Sequence, residues 1–368
     1  MPAKKTNRSR VVASDAAVLS ATRWDQGVRA ELHKIIQRGA GKGLPVVFDF
    51  DNTIVRGDIG EATMAMLARS ERITAANLPA GLCPAFHAAG RERRDLQSCA
   101  DILQYYLALL APTAHGAADP TPYATGYAWA IEIMAGLPLA DVVQATREVI
   151  ALTHSQKVAS IEVAPGGTAM PVPRFHPEMV ELLAELIRKD FDVWVVSASN
   201  VWSVRITVLE ALNPLLLAHQ AGDEIPADHV IGISSLLADG EDRLYKDSLL
   251  VQEDQGYARL AKQAISRFRL TSRLAHPLPA YSGKVACILD AIGRRPYLGV
   301  GDGPGDRAML AVSEHQLWIA PHHEERQRVS ARLVRSASES GWPVSKPLNA
   351  DSLVLPAGKV LTAHSKKA

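Results

Sequence analysis

An α/β fold, in which a parallel sheet carries helices on both faces and a helical domain is inserted after the first strand, is predicted by three features of this sequence. Short apolar runs end in polar residues: VVF before Asp49, VWVV before Ser197 and YLGVG before Asp302. That is the composition of buried parallel strands whose carboxyl ends open on a site. Helix-period segments separate these runs, and strands alternating with helices imply a parallel sheet. From about Gly60 to Ala164 the pattern is helical throughout, without strand alternation.

Taken in order, residues 1–14 read as disordered, and a helix is expected from Trp24 to Gln37, where Val28, Leu32, Ile35 and Ile36 recur at helical spacing. The following GAGKG ends it. The first strand lies in PVVFDFDNT. The insertion contributes EATMAMLARS, LQSCADILQYYLALL and LADVVQATREVIAL as helices. After the turn-rich APGGTAMPVPRFHP, a helix PEMVELLAELIRKD with Pro177 near its start leads into the second strand, VWVVSASN. DHVIGI offers a third strand, LLADGEDRLYK a hairpin around Asp239 and Gly240, GKVACILDAIG a helix, PYLGVGDG a fourth strand and HQLWIAP a fifth. The expected division is an N-terminal extension and helix (1–43), a core (44–58 and 172–335), a helical cap (59–171) and a C-terminal tail (336–368).

Composition narrows the function. A chain of 368 residues holds one large core and a smaller satellite domain, and 47% apolar with 21% charged residues is ordinary for a folded protein. Lys plus Arg (40) almost cancels Asp plus Glu (39), which removes the electrostatic case for nucleic acid or an anionic membrane and favours a small-molecule partner. Cys83, Cys99 and Cys287 form no CxxC pair, so neither a disulfide framework nor a zinc site is indicated. No run of 18 or more apolar residues occurs, and no membrane-spanning helix is expected. The basic MPAKKTNRSR is followed by a segment that Asp15 interrupts, a weak signal-peptide core, so the reading is cytoplasmic, with a periplasmic or secreted location as the alternative. Nothing in the sequence specifies an oligomeric state.

The chemistry is concentrated at the predicted strand ends. Asp49 and Asp51 flank Phe50, followed by Asn52 and Thr53, a DxDxT pattern that keeps two carboxylates near one site. Such a pattern arises by chance in roughly one chain in twenty of this length, so alone it is weak. Ser197 ends the second strand, where its hydroxyl and the following N–H groups suit a phosphoryl oxygen. Lys284, in SGKVACI, heads a helix and can set a positive charge against a carboxylate and a phosphate. Asp302 and Asp306, in GVGDGPGD, follow a strand and suit a hard cation such as Mg²⁺.

In this order and spacing, DFDNT, SAS, the lysine of GKV and GDGPGD resemble the four motifs of the haloacid dehalogenase superfamily of phosphatases, over about residues 44–320. The resemblance implies a Rossmann-like core and Mg²⁺-dependent hydrolysis of a small-molecule phosphate ester through an aspartyl-phosphate. Asp49 is then the nucleophile, Asp51 the acid/base, and Ser197, Lys284, Thr53 and Asn52 the phosphate-binding residues. The metal falls to Asp49, the backbone carbonyl of Asp51, Asp302 and Asp306. The long insertion directly after the first motif looks like the cap of the branch that contains phosphoserine and phosphorylcholine phosphatases. That branch binds a substrate ammonium through an acid soon after the first motif, for which Asp58 and Glu61 are the candidates. Tyr105, Tyr106, Tyr123, Tyr127 and Trp129 in the insertion can form an aromatic cage, or simply the core of the cap. A dehalogenase on the same fold needs only the first aspartate. An idle binding protein would have lost a key carboxylate, and none is lost. Phosphoryl transfer to an acceptor other than water would use the same residues.

Overall fold

Pro45–Phe48 (β1) is apolar and buried at every position, so a neighbour is needed on both edges and cover on both faces. The neighbours are Asp192–Asn200 (β2) and Leu298–Gly301 (β4), both parallel to it, with Val46 opposite Val193 on one side and Leu298 on the other. Val230–Ile233 (β3) adds outside β2 and His315–Trp318 (β5) outside β4, again parallel. The computed structural model describes residue 19 and residues 26–78, 82–83, 85–88, 92–110, 122–319, 352–355 and 359–362. Within them Ser352–Leu355 (β6) and Lys359–Thr362 (β7) extend the sheet antiparallel, giving the order β7-β6-β5-β4-β1-β2-β3. All five expected parallel strands are present. The terminal hairpin, in the segment read only as a tail, was not expected.

This order places the site. The chain leaves β1, builds β2 and β3 on one side, and returns to build β4 and β5 on the other, so the carboxyl end of β1 is a topological switch point. Residues after β1, near the end of β2 and after β4 converge there.

The first helix runs Gln26–Gly39, within two residues of its expected bounds. In the insertion, helices span Ile59–Arg69, Ile102–Leu110, Pro122–Glu132 and Leu139–Ser155. The expectation of a purely helical insertion is corrected by two antiparallel hairpins, Phe86–Ala88 with Glu92–Arg94 and Ser160–Glu162 with Ala169–Pro171. Strands of three residues are too short to display a period of two. A buried chain of hydroxyls ties the insertion to the core. Thr146 Oγ1 lies 3.0 Å from Thr63 Oγ1 and 2.7 Å from Ser203 Oγ, linking Ile59–Arg69 and Leu139–Ser155 to the core helix Val201–Thr207. Leaving any of these hydroxyls unpaired here would cost about 1–3 kcal/mol, so the contact fixes how the cap sits.

After β3 the expected hairpin forms between Ser235–Ala238 and Leu244–Tyr245, with Arg269–Leu274 as an unexpected third antiparallel strand. The helical run 201–218 is long and apolar enough by composition to cross a membrane, but most of it is buried inside the fold as core.

Candidate active site

Asp49 is held before its side chain does anything: its N–H donates to Val300 O at 2.9 Å, continuing the β1–β4 ladder one residue further. The carboxylate is buried. The Thr53 hydroxyl donates to Asp49 Oδ2 at 3.0 Å, with Asp302 Oδ1 at 3.5 Å, and Lys284 Nζ donates to Asp49 Oδ1 at 2.6 Å. Lys284 also donates to Asp306 Oδ1 at 2.6 Å. The other oxygen of Asp306 accepts from the N–H groups of Asp302 (3.0 Å) and Gly303 (3.1 Å). Asp306 therefore orders both the lysine and the loop. That loop needs glycine at 301, where an added Cβ would come within 2.6 Å of the Asp306 side chain. Trp318 Nε1 donates to Asp302 O at 3.0 Å and closes the far side.

Asp49, Asp302 and Asp306 offer carboxylate oxygens within 4.8 Å of one another, all buried. One lysine against three carboxylates leaves an excess of negative charge in a poorly solvated place, which is costly unless a cation joins them. The donors are hard oxygens, so the residues fit a divalent cation of the Mg²⁺ type.

Burial, then the charge of Asp306, pushes the Asp49 carboxyl up to about 6, with Lys284 opposing. For Lys284 burial works against the charge, but Asp306 and Asp49 outweigh it and hold the ammonium above its ordinary range. A cation held by Asp49 would compete with its proton. The rise in melting temperature given by Mg²⁺ is therefore expected to be small near pH 5 and to grow through about pH 6. Without the cation the sign reverses. An acid whose folded pKa is raised from 3.8 to about 6 stabilises the fold below the lower value and loses that contribution as pH rises through the window. Differential scanning fluorimetry at several pH values checks both signs; an Mg²⁺ shift independent of pH would exclude Asp49 as a ligand.

Asp51 faces the other way. Its Oδ2 accepts from Ser197 Oγ at 2.9 Å and its Oδ1 from Ile59 N at 2.7 Å. Burial, then the charges of Asp58 and Asp49, raises its carboxyl well above the usual range. Two neighbouring carboxyls whose surroundings push their acidities apart are the kind of pair that general acid–base chemistry uses.

Asp58 caps the helix Ile59–Arg69, accepting from Glu61 N at 2.8 Å and from Ser199 Oγ at 3.2 Å. It opens with Glu61 onto a small recess whose walls include Tyr106, Tyr127, Met64 and Ser199. The five aromatics of the insertion thus divide. Tyr106 and Tyr127 line the cavity, Tyr105 and Trp129 are buried against each other, centroids 5.3 Å apart, as cap core, and Tyr106, itself buried, also stacks on Trp129 at 6.0 Å. The side chain of Tyr123 lies outside the described residues.

Asn52 and Thr53 order the loop and the carboxylate cluster. Asn52, at φ 59°, turns the chain and accepts from Gly57 N, while the Thr53 hydroxyl is fully buried on Asp49. Ser199 joins both halves of the site and was not singled out from the sequence. Its signal was the second serine of SAS, two residues beyond Ser197 on the same strand, whose Oγ accepts from Ser199 N at 2.9 Å.

A profile of haloacid dehalogenase-like hydrolases matches residues 46–311. A phosphorylcholine phosphatase of Pseudomonas aeruginosa is 24% identical over 354 residues, 91% of this chain and 92% of that one. Among solved structures, a conserved protein of unknown function from Anaerococcus prevotii superposes with a TM-score of 0.52 at 17% identity, covering 84% of this chain and 90% of its own, and shares the fold.

Proposed function

The chain belongs to the haloacid dehalogenase-like hydrolase family and is a phosphatase, and from that premise we propose that it hydrolyses a small phosphomonoester of an amine through an aspartyl-phosphate. The observation that carries the reaction is the pairing of Asp49, engaged by Lys284 and Thr53, with a buried Asp51 one residue beyond Phe50 whose carboxyl burial and neighbouring acids hold above its ordinary range.

Asp49 attacks phosphorus, forming the acyl phosphate as the bond to the leaving alkoxide breaks. Asp51 gives its proton to that alkoxide. Water then attacks the aspartyl-phosphate, Asp51 takes its proton, and inorganic phosphate leaves with Asp49 restored. Lys284 and the Ser197 hydroxyl stand beside the transferred group and offset its charge. Asp49, Asp302 and the Asp51 carbonyl would hold Mg²⁺, with Asp306 ordering the loop around it. When bound, the ion neutralises charge so that an anionic carboxylate can approach an anionic phosphate.

The choice of an amine rests on the cavity. Two acids and two tyrosines beside Ser199 suit an ammonium through charge and cation–π attraction, and the P. aeruginosa relative is called a phosphorylcholine phosphatase. Phosphate release should be measured from phosphocholine, phosphoethanolamine, phosphoserine and glucose 6-phosphate, with Mg²⁺ or with EDTA. Asp58→Asn keeps the helix cap and removes the charge, so KM for the amine esters is expected to rise about tenfold, with glucose 6-phosphate unaffected. A preference for the sugar phosphate would overturn the amine reading, and full activity in EDTA would overturn the metal.

A further inference from the structure

Ser199, one residue before the end of β2, is where the two acid sites meet. Its N–H donates to Ser197 Oγ at 2.9 Å, and the Ser197 hydroxyl donates to Asp51 Oδ2 at 2.9 Å. Its own hydroxyl donates to Asp58 Oδ1 at 3.2 Å, and Asp58 and Ser199 both line the recess. A series of hydrogen bonds thus runs through Ser199 from the acid beside the nucleophile to the acid of the recess.

The surroundings hold that serine in place. A Cβ at Gly60, in the first turn of the helix that Asp58 caps, would come 2.6 Å from Ser199 Oγ, and a Cβ at Gly232 of β3 would come 2.9 Å from Ser199 O. Asn200 accepts from Ser203 N at 2.8 Å and caps the core helix Val201–Thr207, which fixes the chain directly beyond. Ser199 is therefore carried by the sheet. Asp58 is carried by the insertion: Glu61 N, from the helix that Asp58 caps, donates at 2.8 Å to the same oxygen that Ser199 engages. Two donors on one oxygen, one from each unit, fix the Asp58 carboxylate relative to Asp51.

We propose that Ser199 is a positioning residue that selects leaving groups by length. It holds the recess acid at a set separation from the acid that protonates the leaving oxygen, and so admits an alkyl chain whose ammonium falls on Asp58 when its oxygen lies beside Asp51. Charge alone would accept a range of lengths, because a carboxylate that can swing follows the cation. The inference rests on the amine reading above and adds a spacing to it.

The test uses the full chain and the ω-aminoalkyl phosphates with two, three and four carbons, with p-nitrophenyl phosphate as the ester without a cation. Ser199→Ala keeps the N–H that orders Ser197 and removes the bond to Asp58. Each kcat/KM is divided by that for p-nitrophenyl phosphate, which cancels any effect on the shared chemistry. In wild type these ratios are expected to differ about tenfold between the best and worst amino esters. In Ser199→Ala the spread is expected to shrink to about twofold, with the best ester losing about fivefold, the size of one hydrogen bond's net contribution. Added to Asp58→Asn, Ser199→Ala is expected to change the ratios no further, since no charge is left to place. An undiminished spread in Ser199→Ala, losses that multiply in the double variant, or a wild type indifferent to length would each overturn the proposal. The amine reading fails separately, on Asp58→Asn alone: ratios unchanged by that substitution would overturn it and the spacing with it.

Discussion

Asp49→Asn is expected to lower kcat for phosphate release by roughly a thousandfold or more, the scale seen when a covalent nucleophile is removed, without loss of the fold. Asparagine has nearly the same shape, and its carbonyl oxygen can still accept from Lys284 or Thr53, so the hydrogen bonds that place residue 49 survive in part. The substitution also removes a charge that burial disfavours. Because the Asp49 carboxyl is raised to about 6, the ionised form opposes folding at neutral pH, and the metal-free variant should melt at or above the wild-type temperature. Activity lost together with stability kept separates a nucleophile from a structural residue. A second measurement tests the covalent step: borohydride trapping of an acyl phosphate at position 49 should succeed in wild type incubated with substrate and fail in the variant. Residual turnover within about tenfold of wild type would remove Asp49 from the chemistry.

That Asp49 and Asp51 share a site was legible because it depends on local facts, an apolar run and two acids two residues apart. That they do opposite things was not. One carboxylate is committed to a lysine 235 residues away in sequence and the other to a serine 146 away, and only the crossing of the chain at the switch point brings those partners in. The aromatics of the cap show the same limit. Tyr105 and Tyr106 are neighbours in sequence, but successive residues on a helix point about 100° apart, so both pack on Trp129 while only Tyr106 also reaches the cavity wall. Composition could name both as candidates and could not divide them. Three-residue strands and an edge hairpin escape for a related reason: they are stabilised by what they pair with, and their own residues hold too few positions for a pattern.

Lys284→Met should damage stability and activity through separable routes. The lysine is 2% exposed and bridges Asp49 and Asp306 at 2.6 Å each, and methionine fills a similar volume without the charge. Two buried carboxylates would then face each other uncompensated, a loss of about 3–5 kcal/mol by the usual cost of breaking a buried pair. The loss carries a sign in pH. Protonating one of the carboxylates relieves the repulsion, so the deficit measured by urea unfolding should shrink from about pH 8 to about pH 5. Mg²⁺ should also return part of it at neutral pH, since a cation among the same oxygens replaces the missing charge. Activity should fall by about 10²–10⁴-fold with Mg²⁺ present, because no fixed positive group remains beside the transferred phosphoryl. The double variant Lys284→Met with Asp306→Asn tells the two effects apart. The asparagine oxygen can still accept from Asp302 N and Gly303 N, and one of the two facing charges is gone, so stability should return toward wild type while turnover stays low. Recovery of both would reduce Lys284 to a counter-ion for Asp306 and leave the phosphoryl group without a lysine partner.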